Sequence, residues 1–360
     1  MAQRSLEEFV EEVSGPNLLR VEHDYGDGFV RLRSSEAERR QAIQDIRCSE
    51  DVVLELLRNS RDAHAANIYL AVSREGNSRS ITVIDDGVGI PEAMHALIFE
   101  PRVTSKLDSS HIDKWGLHGR GMALYSISVN ATDAFVADSD EGLGCAICVK
   151  TDLRKLSEKT DQSSFPTFTL EEEGRVVVRG PRNMLRTACE FALDSRGTCT
   201  VFVGSPAEVA ATLHMRSMSM LSSVERVFCR DPRQLPLVKR LATSADPESL
   251  AELAGTMGLN ISARTARRII DGEYFNLVNI LDLIQITPQS QRPKGKRLKK
   301  GKSPRSVKLD RQDARALAEA AGAAYDSIAP KYYLARNVEP SVKSSPGKIT
   351  ITIPAVEDTR

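Results

Sequence analysis

Ser80-Ile81-Thr82-Val83-Ile84-Asp85-Asp86-Gly87-Val88-Gly89-Ile90-Pro91 begins as a strand and ends as a turn. Residues 81–84 are all β-branched, which suits a buried strand. Asp-Gly and the second glycine then break the extended run. A carboxylate at a strand end can accept a hydrogen bond from an exocyclic amine, and glycines beside it let the backbone approach a flat ring closely. An ordinary Asp-Gly turn looks the same in isolation, so the flanking sequence decides.

Toward the N-terminus, Asn67-Ile68-Tyr69-Leu70-Ala71-Val72 reads as a second strand, joined through Gly76-Asn77 as a hairpin. Before it, a helix is expected from about 50 to 64, with Ser49 as its cap and Asp51 favouring the dipole. Val53, Leu56 and Leu57 mark its core face. Glu55, Asn59 and Asp62, spaced i, i+4, i+7, fall within a sector of ~60° at ~100° per residue. A carboxylate there can activate water, and an amide oxygen can hold a hard cation such as Mg²⁺. A solvated polar face gives the same pattern. Toward the C-terminus, a short helix at 91–99 and a polar loop at 100–119 precede Gly116-Leu117-His118-Gly119-Arg120-Gly121, which leads into a helix at about 120–130. Glycine-rich backbone entering a helix offers free N–H groups to an anion. No Lys-Ser/Thr follows, so this is not a Walker loop, and no strand precedes it, so it is not a dinucleotide fingerprint.

In this order the three elements resemble the GHKL ATP-binding superfamily. That group includes gyrase B subunits, type IIB topoisomerases, mismatch-repair MutL proteins, the large heat-shock chaperone ATPases and histidine-kinase catalytic domains. Glu55-Leu-Leu-Arg-Asn59-Ser60-Arg61-Asp62-Ala63 resembles the N box, and Asp85-Asp-Gly87-Val-Gly89-Ile90 the adenine-binding G1 box. Phe99-Glu100-Pro101-Arg-Val-Thr104-Ser105-Lys106 resembles the segment before the nucleotide lid. Gly116 to Leu124 resembles the G2 box, and Tyr125-Ser126-Ile127-Ser128 continues it in MutL style. Ser195-Arg196-Gly197-Thr198 resembles the Gly-Thr signature near the end of the domain. The likeness covers about residues 36–205.

Helix and strand patterns mixed without strict alternation read as α+β, and the likeness implies a two-layer α/β sandwich with helices on one face of a mixed sheet; residues 207–285 are mainly helical by pattern and do not resemble the family's usual transducer. The likeness implies ATP and Mg²⁺ as ligands. Glu55 would be the general base, Asn59 the Mg²⁺ ligand and Asp62 a support of the adenine pocket. Asp85 would take the adenine amino group in the Gly87 turn, with Gly89 giving room to the ring. Gly119, Arg120, Gly121 and Met122 would offer backbone N–H groups to the phosphates. Thr104 and Lys106 would lie beside the lid near phosphate, and Thr198 would complete the adenine-side bonds. Such a site works by positioning and charge neutralisation. Hydrolysing members borrow a basic residue from a second domain, and the sequence beyond 205 does not identify one. Lid closure with nucleotide-dependent homodimerisation is the implied cycle.

The remaining chain divides into an irregular lead-in at 1–35, the ATP-type domain at 36–205, a helical region at 206–287, a basic linker at 288–309 and a C-terminal helix and strand at 310–360. Lys+Arg and Asp+Glu both number 49, so the chain is not a uniformly basic nucleic-acid binder. No apolar run approaches a membrane span and no signal core opens the chain, so a cytoplasmic protein with no membrane partner is expected. Six cysteines in 360 residues do not make a disulfide framework. Cys145-Ala-Ile-Cys148 has half-zinc-site spacing but sits in an apolar strand pattern with no answering pair. Residues 249–270 loosely resemble a helix-turn-helix with an over-long turn, for which plain helix packing is the competing role. The stretch 292–308 carries nine Lys/Arg and no acid, so it could meet DNA phosphates or simply be a solvated hinge. The expected function is a slow Mg²⁺-dependent ATPase acting as a conformational switch on an unidentified protein client. A DNA-associated ATPase and a protein kinase or nonhydrolysing switch are the alternatives.

Overall fold

The computed structural model describes residues 21–105, 111–113, 116–118, 121–159, 161–170, 176–284, 286–288, 311–329, 334–336, 338–345 and 348–354. They fall into two compact units, Met1–Gln289 and Ser290–Arg360.

The first described element of this unit is a hairpin, β1 (Val21–Gly26) and β2 (Phe29–Leu32), within the stretch where the sequence suggested irregular chain. The Tyr25-Gly26-Asp27-Gly28 turn signal is its tip, with positive φ at Gly26, Asp27 and Gly28. The flanking strands escape a periodicity reading because β1 is mostly exposed and β2 has four residues. β2 also pairs with β5 (Val103–Thr104), which ties this hairpin to the segment before the glycine loop.

Helix α1 (Glu36–Asp45) starts at Ser35 with a reciprocal capping box to Glu38. Helix α2 (Ser49–Asp62) follows. Its cap is Cys48 rather than Ser49, which is already helical and fully buried, its backbone N–H bonded to the Ser157 carbonyl. β3 (Asn67–Glu75) and β4 (Ser78–Asp85) form the expected hairpin. Two short 3-10 turns, Glu92–Met94 and Leu97–Phe99, replace the single helix expected at 91–99. β6 (His111–Asp113) and β7 (Gly116–His118) pair antiparallel. After Met122 come α3 (Ala123–Asn130), β8 (Asp133–Asp140) and β9 (Gly144–Asp152). β10 (Thr167–Leu170), β11 (Val176–Arg179), α4 (Met184–Asp194) and β12 (Thr200–Gly204) complete the motif-bearing part.

The main sheet has the order β12-β3-β4-β9-β8, parallel only between β12 and β3. It is a mixed sheet of α+β character, as the sequence indicated. One face carries Ile68, Leu70, Ile81, Val83, Ile147, Val149 and Val201 against α2, α3 and α4. That is the two-layer sandwich. Beyond residue 205 come α5 (Pro206–Met220), α6 (Ser223–Phe228), α7 (Leu237–Arg240), α8 (Pro247–Thr256) and α9 (Ala263–Ile270); all but the exposed α6 add a layer on the opposite face. Tyr69, Ala71, Ile84, Ala146 and Phe202 point that way and pack with Val209, Leu213, Leu237, Leu241, Leu250 and Met257. Tyr69 and Phe202 stack at 4.9 Å, with the Arg216 guanidinium 4.8 Å from the Phe202 ring centre. A short β13 (Ile286–Pro288) joins β10 in parallel.

The second unit holds helix α10 (Arg311–Ile328) and a hairpin of β14 (Ser341–Ser345) with β15 (Lys348–Thr352). The Ala-rich helix and the Ile-Thr alternation were legible; the partner strand was not. The basic stretch 292–308 lies outside the described residues. Among the described residues no helix is long and apolar enough to cross a membrane.

Candidate functional site

Helix α2 is the spine of the site. Its core stripe, Val52, Val53, Leu56 and Leu57, is essentially fully buried and fixes the rotation of the helix. Glu55, Asn59 and Asp62 are therefore left half-buried along one side, and all three line a single pocket. Asp85, Val88, Gly89 and Ile90 line the same pocket, as do Thr104, Ser105, Gly121, Ala123 and Leu124. Cys145 and Ile147 of β9 join them, and so does Phe29 from the first hairpin.

Asp85 is held on both oxygens. The Ser60 hydroxyl donates to Oδ2 at 2.6 Å, and the Gly87 N–H donates to Oδ1 at 2.9 Å. Asp85 is only 4% exposed, and these two bonds offset the cost of burying its carboxylate. Its neighbour Asp86 does something else. It accepts from both the backbone N–H and the side-chain amide of Asn67, each at 2.7 Å, and staples the strand ends together. Of the two adjacent aspartates, Asp85 alone faces the pocket. Gly89 has φ +74°, and a Cβ there would lie 1.9 Å from the Asp140 carbonyl oxygen. The glycine is thus required by the turn's packing on the β8–β9 connection, whatever the pocket holds. Opposite Asp85 in the ladder sits Cys145. Burial, and then the Asp85 charge, push its thiol well above the usual range, so it stays protonated.

Five residues before Ser60 on the same helix, Glu55 accepts from Arg58 Nη1 at 2.6 Å. Arg58 is 5% exposed and also lines the pocket. Asp62 accepts from Arg61 Nε at 3.1 Å, and that guanidinium lies 5.7 Å from the Phe191 ring centre.

The structure therefore brings Glu55, Asn59, Asp62, Asp85, Gly89, Thr104 and Gly121 around one hollow. Gly87 serves the turn through its N–H. Met122 is the cap of α3, buried and without a side-chain capping bond. Thr198 is exposed and outside the lining, its N–H bonded to the Ser195 carbonyl at 3.0 Å. Lys106, Gly119 and Arg120 lie outside the described residues. Ser60, Arg58, Cys145 and Phe29 went unassigned in the sequence. Ser60 and Arg58 were within reach, since they stand inside the motif that holds Glu55 and Asn59. Cys145 is found only through the β4–β9 register, and Phe29 only through the hairpin.

No cluster of three or more His, Cys, Asp or Glu able to hold a metal occurs among the described residues. The Asn59 amide suits a hard cation that brings most of its ligands with it, as Mg²⁺ does on a phosphate chain. The Cys145–Cys148 pair is not a metal site: Cys148 lies 3.4 Å from the Thr82 hydroxyl on the other face of the sheet.

Residues 45–155 match the family described as Histidine kinase-, DNA gyrase B-, and HSP90-like ATPase. The chain carries a domain of the GHKL ATPase superfamily, MutL-like in style. The DNA mismatch repair protein MutL of Staphylococcus saprophyticus is 35% identical over 115 residues, 31% of this chain and 17% of that protein. MutL of Clostridium beijerinckii is 39% identical over 114 residues, again 31% and 17% of the two chains. MutL of Buchnera aphidicola is 38% identical over 96 residues, 26% of this chain and 16% of that one. The likeness thus spans about a sixth of these relatives' length. A solved N-terminal domain of a DNA repair protein aligns over 45% of this chain and 62% of its own, at 17% identity and a TM-score of 0.24.

Proposed function

We propose that the pocket binds ATP with Mg²⁺ and hydrolyses it slowly, so that the chain acts as a nucleotide-driven conformational switch in the cytoplasm. One observation carries this: a helix-borne carboxylate and amide, a locked strand-end aspartate and a glycine backbone line a single pocket. In this reading Asp85 accepts the adenine amino group, and Ser60 and Gly87 hold it in place for that bond. Asn59 holds Mg²⁺, which neutralises phosphate charge. Gly121, with Gly119, Arg120 and Met122, presents backbone N–H groups to the phosphates. Thr104 and Lys106 flank the phosphate end, Asp62 supports the base end, and Thr198 acts from the strand entry beyond it. Glu55 accepts the proton of the attacking water. Nucleotide-dependent pairing of two copies and an unidentified protein client belong to the same proposal. Titration calorimetry with ATP, with and without Mg²⁺, tests the binding half. Free phosphate released in solution tests the hydrolysis half; label on a protein instead would select the kinase reading.

A second reading, a DNA-associated ATPase, is favoured by helix α9. Ala266 and Ile269 bury against α8 and α5, while Arg264, Arg267 and Arg268 are exposed. The mismatch-repair names of the relatives and the basic stretch 292–308 lean the same way. Duplex DNA that stimulates phosphate release, with the effect lost at high salt, would support it.

A further inference from the structure

Helix α2 works as a ruler along the pocket. Ser60 marks one end, because its hydroxyl is bonded to Asp85. Glu55 stands five residues earlier, roughly 7 Å along the axis at about 1.5 Å per residue. Helical side chains lean toward the N-terminus, so Arg58 reaches back to Glu55, and their charged groups share the end away from Asp85. Among the described residues, the ionisable side chains lining the pocket are Glu55, Arg58, Asp62, Asp85 and Cys145. Three are carboxylates and Cys145 is kept neutral. A polyphosphate entering this space meets like charge unless cations answer it; beside the Mg²⁺ proposed at Asn59, Arg58 is the cationic side chain in that described lining.

We infer that Arg58 is the residue that meets the terminal phosphate of the bound nucleotide, and that it leaves Glu55 to do so. The inference rests on reading the pocket as an ATP site. It assigns within the domain the basic contact that the sequence beyond residue 205 did not supply. A guanidinium has five N–H donors in a planar fork, and a phosphate is a more highly charged partner than a single carboxylate. Before nucleotide arrives, the buried Arg58 guanidinium is paired with the half-buried Glu55 carboxylate. After it arrives, Arg58 turns to phosphate and the Glu55 carboxylate is freed to accept a proton from water. The exchange couples the arrival of the last phosphate to exposure of the base, so ADP, lacking that phosphate, leaves the pair closed.

The test is calorimetric titration of the full chain with ATP and separately with ADP, both with Mg²⁺, for the unaltered protein, Arg58→Met and Arg58→Lys. Arg58→Met should weaken ATP binding at least ~10-fold, in line with loss of a charged hydrogen bond, and leave ADP within about 2-fold. Arg58→Lys should lose less for ATP, because charge remains without the fork. Equal losses for the two nucleotides would mean a merely structural arginine and overturn the assignment, as would undiminished ATP binding. Should Arg58→Met fail to fold, the ATP-to-ADP ratio of Arg58→Lys decides by the same criterion. An unaltered protein that takes up neither nucleotide would overturn the pocket reading itself, a result told apart by that first titration.

Discussion

The two faces of the five-stranded sheet are made by the same strands, one residue out of step. Ile68 and Leu70 of β3 meet α2 and α4, whereas Tyr69 and Ala71 meet the helices beyond residue 205. Yet the first face ends in a pocket edged with carboxylates, whereas the second is covered by an apolar layer whose own pocket, lined by Thr82, Cys148, Lys150 and Thr256 among others, has no carboxylate in its described lining. The difference lies in the helices. α2 presents a core stripe and a separate polar row, so it seals the sheet and lines a cavity together. α5 buries Val209, Ala210, Ala211, Thr212, Leu213 and His214 over nearly its whole inner surface and leaves no such row. Chemistry can be placed only where a helix has polar positions left over after packing.

The comparison is broken most directly at Glu55. If the pocket face is the catalytic one, Glu55→Ala should cut phosphate release by ~10²–10⁴-fold, the usual scale for a lost general base. ATP affinity should be kept or rise by a few-fold, because a carboxylate facing phosphate does not favour ground-state binding and Arg58 no longer has the Glu55 carboxylate to leave. Steady-state turnover beside calorimetry separates the two. Undiminished turnover would leave the two faces differing in binding alone.

The opposite face should answer in stability instead. Phe202 is 4% exposed, stacked on Tyr69 and covered by Arg216. Phe202→Ala should cost about 3–5 kcal/mol in a urea melt, from lost transfer energy and the cavity left behind. The folded fraction should keep its nucleotide affinity. A variant of normal stability but impaired binding would show that the outer layer transmits to the pocket.

This contrast also explains what could be read in advance. The pocket face was legible because its chemistry needs particular side chains at fixed intervals: Glu55, Asn59 and Asp62 on a helix, and Asp85 with Gly87 and Gly89 at a strand end. Asp85 and Asp86 could be told apart only in three dimensions, by Asn67 gripping one and Ser60 the other. The outer layer was legible only as helical sequence. Any apolar set of the right volume would cover Tyr69, Ile84 and Phe202, so nothing in residues 206–270 announces which sheet they cover. The strand β2 was lost because four residues carry too little periodicity, although Phe29 enters the pocket.

A smaller effect sharpens the comparison on the pocket side. Asp85→Asn keeps an oxygen for the Ser60 hydroxyl but loses the charge and offers an amide donor where an acceptor is wanted. ATP binding should weaken by roughly 10–100-fold, the range for a hydrogen bond to a charged group. The urea midpoint should fall by the equivalent of about 1–3 kcal/mol, because with Ser60 keeping the oxygen the new amide nitrogen faces the Gly87 N–H, a buried donor left without its acceptor. Normal affinity would remove Asp85 as the base-recognising group, and a collapse of stability would recast it as a core residue.

The smallest expected effect lies at His214, on the inner surface of α5. It is 8% exposed, and its Nδ1 has no hydrogen-bond partner among the described residues. Burial chiefly, and the nearby Arg226 charge in addition, lower its pKa from the ordinary 6.5. The folded state therefore resists a proton that the unfolded chain accepts. The sign follows: stability from this site is complete above the unfolded value and drains away as the pH falls below it toward the folded value. Urea melts at about pH 7.5 and about pH 5.5 should show the decline, and His214→Leu should flatten it over that interval. Because His214 packs with the outer layer, the slope of ATP affinity over the same interval should be unchanged by His214→Leu. A change in that slope would mean that protonation on one face of the sheet is felt on the other, and the separation drawn between them would have to be given up.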